Sequence, residues 1–191
     1  MLDLLLCLLL GLPAAILVGL AACAVRWDSP GAALFAQWRV GAHGRRFRLW
    51  KLRTMVANAG ALKGQLTHLN ELPWPDFKIT NDPRITGVGR WLRRSSLDEL
   101  PQLWNVWRGE MSFVGPRPSS FGLEHYRLWH TERLALPPGI TGLWQITARA
   151  RCDFDQRLRL DLAYLRSWRL RLDLAILAAT LAVVCRGKGA R

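Results

Sequence analysis

The chain has 191 residues and ten tryptophans, with 27 Lys and Arg against 14 Asp and Glu for a formal charge of +13. That length allows one domain with a sizeable core, and no repeat or low-complexity tract divides it. The charge alone suits nucleic acid, an anionic membrane face or phosphorylated ligands; the tryptophans tilt it toward the cytoplasmic leaflet, and scattered Cys7, Cys23, Cys152 and Cys185 argue against zinc and disulfides.

Leu4 to Val25 is an uncharged run of 22 residues. At about 1.5 Å per residue it can cross a hydrocarbon layer of roughly 30 Å. Pro13 stands at its middle and allows either a kinked spanning helix or two short arms that enter and leave one leaflet. Asp28-Ser29-Pro30-Gly31 is a turn. Phe35 to Arg39 and Phe47 to Lys51 flank Gly41-Ala42-His43-Gly44 and predict a short β-hairpin with His43 in its turn. Val56 to Leu72 reads as a helix stopped by Pro73-Trp74-Pro75. Phe121 to Leu136 is helix-like, with Pro137-Pro138-Gly139 ending it. In a helix from Asp155 to Trp168, Arg157, Asp161 and Tyr164 share a face, where a surface ion pair between the first two is the ordinary reading. Leu174 to Val184 is too short to span, and reads as a helix packed on the domain or lying in the interface.

The chemistry concentrates between Ser95 and Pro118. Ser96-Leu97-Asp98-Glu99 has the spacing of a capping box, although Pro101 would kink the helix so begun or leave the acidic pair on a loose first turn. Carboxylates at a helix start stay ionised, so Asp98 can act as a nucleophile and Glu99 can hold a hard cation. Arg93, Arg94 and Arg117 supply what an anionic phosphate needs, and the prolines around Arg117 fix its backbone. The residues alone leave an ordinary capped helix and a phosphoryl site both open. His43, His68, His125 and His130 have no metal spacing.

Asn81-Asp82-Pro83-Arg84, Leu92-Arg93-Arg94, Ser96 to Gln102, Asn105-Val106, Gly109 to Ser112 and Gly115-Pro116-Arg117-Pro118 together resemble the bacterial sugar transferase family. These are monotopic phosphoglycosyl transferases that prime exopolysaccharide and O-antigen assembly. Lys51-Leu52-Arg53-Thr54-Met55 and Ile140-Thr141-Gly142 extend the match over nearly the whole chain. The resemblance implies a mostly helical α+β fold, with residues 1–27 as a re-entrant hairpin broken at Pro13. Residues 28–191 would form a cytoplasmic catalytic domain with interfacial helices, at the bacterial inner membrane. It implies transfer of a sugar 1-phosphate from a UDP-sugar to polyprenyl phosphate, with Asp98 as nucleophile and Glu99 holding Mg²⁺. Arg93, Arg117, Arg149 and Lys51 would bind phosphate and UDP. Arg53, Asp161, Tyr164 and Asp173 would support the site, Asp173 by orienting Lys51. Membrane lipid, downstream glycosyltransferases and a second copy of the chain are the further expected partners; nucleic acid is not. The chain departs from the family at Leu12, Pro137 and Ala148, which stand where Ser, a basic residue and Gly are usual. Two rivals remain open: a tethered basic protein binding nucleic acid or anionic lipid without catalysis, and an impaired homologue kept for assembly.

Overall fold

The computed structural model describes residues 2–72, 76–119, 122–147 and 153–186. Helix α1 (Leu2–Asp28) precedes a hairpin of β1 (Leu34–Val40) and β2 (Arg46–Leu52). Short α2 (Ala59–Leu62), α3 (Gly87–Ser95) and α4 (Gln102–Trp107) follow, then β3 (Ser112–Val114), β4 (Gly139–Thr141), α5 (Leu143–Thr147), α6 (Phe154–Arg166) and α7 (Leu170–Cys185). Over the described residues the fold is mostly helical α+β with two small sheets, as the resemblance implies.

Helix α1 runs through Pro13 without interruption, so the two expected arms are one helical element, about 40 Å along its path. Good helix formers on both sides compensate for the one hydrogen bond that proline removes. Among the described residues it is the one helix long and apolar enough to cross a membrane. Both of its ends are tied to the same domain. Asp3 Oδ1 accepts the Phe113 N–H at 2.9 Å and the Ser112 hydroxyl at 3.1 Å, while Asp28 Oδ2 accepts the Val88 N–H at 2.9 Å. Cys7, Ala14, Ala21 and Val25 are buried, whereas Leu5, Leu8, Leu9, Leu12 and Leu20 stay exposed.

The hairpin is antiparallel, with Phe35 opposite Lys51, Gln37 opposite Leu49 and Arg39 opposite Phe47. Directly opposed residues share a face. Phe47 and Leu49 are buried, so the alternation that sends them into the core turns Lys51 and Arg39 toward the domain as well. His43 takes a left-handed φ of 53° in the turn. Phe47 and Leu49 join Val106, Met111, Phe113, Val114, Tyr164 and Ile176 in the main core. Strands β3 and β4 pair in parallel, Ser112 with Gly139 and Val114 with Thr141. A Cβ on Gly139 would stand 2.1 Å from the Gly115 nitrogen, which restricts the position to glycine.

Two expected helices are shorter or tighter than the sequence suggests. Val56 to Leu72 yields only α2 and a 3₁₀ run at Gly64–Leu69. Gly60 and Gly64 weaken an α-helix there, and the Thr67 hydroxyl bonds back to the Gly64 carbonyl at 2.6 Å. The segment Phe121 to Leu136, where described, forms 3₁₀ turns at Leu123–His125 and Leu128–Ala135. Extended Arg127 separates them, its N–H taken by His130 Nδ1 at 3.1 Å. Asp82 and Arg84 close a buried fork at 2.6 and 2.9 Å, and Arg84 Nη1 reaches the Ala59 carbonyl at 3.2 Å, which fixes the chain leading into α3.

Candidate active site

Thr86 caps α3, its hydroxyl accepting the Gly89 N–H at 3.0 Å. The helix lies so close to the end of the hairpin that a Cβ on Gly89 would fall 2.1 Å from the Thr54 carbonyl oxygen. It ends at Ser96, whose left-handed φ of 59° redirects the chain into a single 3₁₀ turn, Leu97–Glu99. The expected capping box at Ser96 is therefore absent: Ser96 closes α3, and Pro101 caps α4. Pro101 has no N–H to give a helix continued from Ser96, whereas at the start of a helix no such donor is needed, and α4 begins just after it. Neither Asp98 nor Glu99 sits on the first turn of an α-helix, and side-chain cations rather than a helix dipole surround them. Asn105 pins α4 to β2: its Oδ1 accepts the Trp50 N–H at 3.1 Å and its Nδ2 donates to the Arg48 carbonyl at 2.7 Å.

That bond brings Lys51 to the acidic turn. Its Nζ lies 2.6 Å from Glu99 Oε1, and Arg117 Nη2 donates to the same oxygen at 2.5 Å. Burial would raise the Glu99 pKa, but Arg117 and Lys51 outweigh it and hold the carboxyl well below the usual range. Asp98, only 8% exposed, has no hydrogen bond or ion pair to its side chain among the described residues. Burial pushes its pKa up, with Lys51 opposing, Glu99 adding to the rise, and Arg93 and Arg117 opposing. Adjacent carboxyls thus differ in role: one is locked between two cations, the other unengaged within their field.

Arg93 donates from Nε to Thr54 Oγ1 at 2.9 Å and lies within the field of Asp98. Arg53 is used otherwise. Its guanidinium bonds Ser29 Oγ at 2.5 Å, the Ser29 carbonyl at 2.8 Å and the Ala32 carbonyl at 2.6 Å, tying down the turn after α1. Asp161 pairs with Arg133 at 2.6 Å rather than with Arg157, which bonds Asp76. Asp173 accepts from the Tyr164 hydroxyl at 2.7 Å and Trp168 Nε1 at 3.2 Å, so its partners are these two and not Lys51. Arg149, with Ala148, lies outside the described residues.

Two residues that sequence reasoning passed over stand beside Arg117. Arg133 donates to the Arg117 carbonyl and, at 2.8 Å, to Ser119 Oγ, buttressing the Pro-Arg-Pro backbone. Arg39 was detectable from hairpin alternation, which puts it on the face of Phe47; no periodicity marks Arg133. Arg39, Arg117, Arg133, Arg157 and Trp144 line a cleft of about 230 Å³.

No group of three His, Cys, Asp or Glu side chains gathers among the described residues. Mg²⁺ needs only one or two carboxylates when substrate phosphates and water complete its shell. The donors present fit that demand, because Glu99 Oε2 carries only a long 3.4 Å contact from Arg117 Nη1 and Asp98 is unengaged.

A family model described as bacterial sugar transferase matches residues 1–187. An undecaprenyl-phosphate galactose phosphotransferase of Salmonella typhimurium is 46% identical over 165 residues, covering 84% of this chain and 35% of the relative. The galactosyl transferase CpsE of Streptococcus agalactiae is 44% identical over 163 residues, covering 84% and 36%. The exopolysaccharide production protein ExoY of Rhizobium meliloti is 38% identical over 170 residues, covering 86% and 75%. The chain thus spans about a third of the length of the first two and three quarters of the last.

Proposed function

The chain belongs to the bacterial sugar transferase family, and from that premise we propose that it transfers a sugar 1-phosphate from a UDP-sugar to polyprenyl phosphate and releases UMP. Relatives named as undecaprenyl-phosphate galactose and glucose phosphotransferases support the acceptor and the reaction class. The observation that carries the mechanism is the contrast between Asp98, unengaged among the described residues, and locked Glu99.

An Asp98 oxygen attacks the sugar-bearing phosphorus, and the bond from that phosphorus to the bridging oxygen breaks as UMP departs. The lipid phosphate then attacks the same phosphorus and displaces Asp98, giving a polyprenyl diphosphate sugar. One phosphoanhydride is lost and one formed, so no further energy source is needed. Attack by one anion on another requires neutralisation, which Lys51, Arg93 and Arg117 provide around the acidic turn. Their positions are fixed before substrate arrives by Asn105, Thr54 and Arg133. Glu99 would hold Mg²⁺, which when bound screens the phosphate oxygens.

The membrane arrangement belongs to the same reading. In this reading α1 keeps both Asp3 and Asp28 against the catalytic domain at the cytoplasmic face, while its exposed leucines are buried in one leaflet. That puts the acidic turn at the height of a lipid phosphate.

Incubation with labelled UDP-sugar and no lipid tests the nucleophile. Wild type is expected to retain covalent label that lipid phosphate chases off, with none on Asp98→Asn; equal labelling of both removes Asp98 from the role.

A further inference from the structure

Of the four arginines that line the cleft beside the acidic turn, three have a carboxylate: Arg117 has Glu99, Arg133 has Asp161 and Arg157 has Asp76. Arg39 has none. Its Nη2 donates to Gln37 Oε1 at 2.7 Å, its Nη1 makes a long 3.5 Å contact with the Pro118 carbonyl, and its buried Nε has no partner among the described residues. Burial and the neighbouring Arg117 push its pKa down to about 10. Two guanidiniums held together with part of one desolvated and unpaired cost stability unless an anion joins them.

The rest of the lining carries two aromatic rings, Trp144 and Phe154, beside Leu158 and the paired carboxylates of Asp76 and Asp161. The Arg157 guanidinium stands 5.4 Å over the Trp144 ring and 5.9 Å from the Phe154 ring, a surface suited to a planar base. At about 230 Å³ the cleft is below the roughly 300 Å³ of pockets that hold a whole small ligand, so it suits part of a donor. Neither Asp98 nor Glu99 lines it, and Arg117 belongs to both places.

We propose that this cleft seats the leaving nucleotide of the donor, with Arg39 binding its phosphate and Trp144 providing the wall on which the uracil stacks. The inference rests on the UDP-sugar reading and adds where one half of that donor lies. The donor straddles Arg117: the phosphorus to be transferred faces Asp98, and the departing UMP lies on the far side, as in-line displacement demands. A lipid phosphate is the other phosphate in the reaction, but the lining contains no residue of α1 and is mostly polar, which leaves a polyprenyl chain no apolar route into the cleft.

Calorimetric titration of UMP into the full chain in detergent tests this without turnover. Arg39→Gln is expected to weaken UMP by about tenfold or more, the loss of one charge-assisted hydrogen bond, with Arg39→Lys intermediate. Trp144→Ala is expected to weaken UMP while sparing inorganic phosphate. In steady state, KM for the UDP-sugar rises in Arg39→Gln and KM for polyprenyl phosphate stays. Arg39→Gln should melt no lower than wild type, since it removes a cation that burial and Arg117 disfavour and that has no ion pair among the described residues; a lower melting point in that variant counts against the proposal. UMP affinity unchanged in Arg39→Gln and Trp144→Ala overturns it, as does a loss that falls on the lipid phosphate. Intact labelling of Asp98 alongside such a result would sink the cleft assignment alone, whereas UMP seated in the cleft without labelling would sink only the covalent mechanism.

Discussion

Exchanging Glu99 for Gln removes one negative charge from between Lys51 and Arg117 and leaves both cations in place. Breaking a buried ion pair in this way costs about 3–5 kcal/mol. Side-chain exposures of 18% for Glu99, 22% for Lys51 and 32% for Arg117 allow solvent to screen part of that, which favours the lower end, about 3 kcal/mol. In a domain of this size each kcal/mol moves the Tm by about 2–4 °C, so Glu99→Gln should melt roughly 6–12 °C lower. Asp98→Asn, one residue away and equally conservative in volume, has no hydrogen bond to a described residue to lose and removes a charge that burial disfavours. Its Tm should hold or rise. Thermal unfolding in detergent at neutral pH, without metal or substrate, measures both. The signs follow from linkage. The Glu99 pKa is depressed by folding, so its contribution is present above the unfolded carboxylate value and lost only as pH falls through the lower folded one. The Asp98 pKa is raised, so its penalty is present above the folded value and relieved on acidification. A Glu99→Gln variant that melts like wild type, or an Asp98→Asn variant that loses as much, would refute the division of roles.

Asp161 offers a second pH test: burial pushes it up to about 6 against the pull of Arg133. Its penalty is full above that value and gone below the unfolded value of about 3.9, and at about 1.36 kcal/mol per unit it reaches about 3 kcal/mol. Wild type should therefore gain stability relative to Asp161→Asn as pH falls from neutral, and parallel melting curves would contradict this. Asp82→Asn should cost about 3–5 kcal/mol, because Arg84, with a side chain 6% exposed, keeps its charge and loses its fork. Faster limited proteolysis between α2 and α3 is the expected sign, and unchanged cleavage the refuting one. For α1, cysteines placed at Leu2 and Pro30 should both react with an impermeant maleimide from the cytoplasmic side in oriented vesicles. Labelling from opposite sides would mean that the helix spans.

Much of the site is written in short stretches of chain. Ser96 to Gln102 and Gly115 to Pro118 carry the acidic pair and its arginine as contiguous residues. The strict alternation of a half-buried hairpin then decides that Lys51, two residues beyond Leu49, must face the same interior. The apolar run from Leu4 likewise announces a long helix, since such a run has no other way to satisfy its backbone. Partner choice over long separations is another matter. Nothing in the spacing of Arg157 and Asp161 shows that each takes a different partner, or that Asp173 serves Tyr164 and Trp168 instead of Lys51. Nor could local pattern tell that Glu99 would be clamped and Asp98 left unengaged, because that depends on where packing of β2, α4 and the Pro-Arg-Pro segment delivers Lys51 and Arg117. Residue identity and period determine which groups are present and which way each strand or helix turns them; the burial and charge that tell one carboxylate from its neighbour exist only once distant segments close around them.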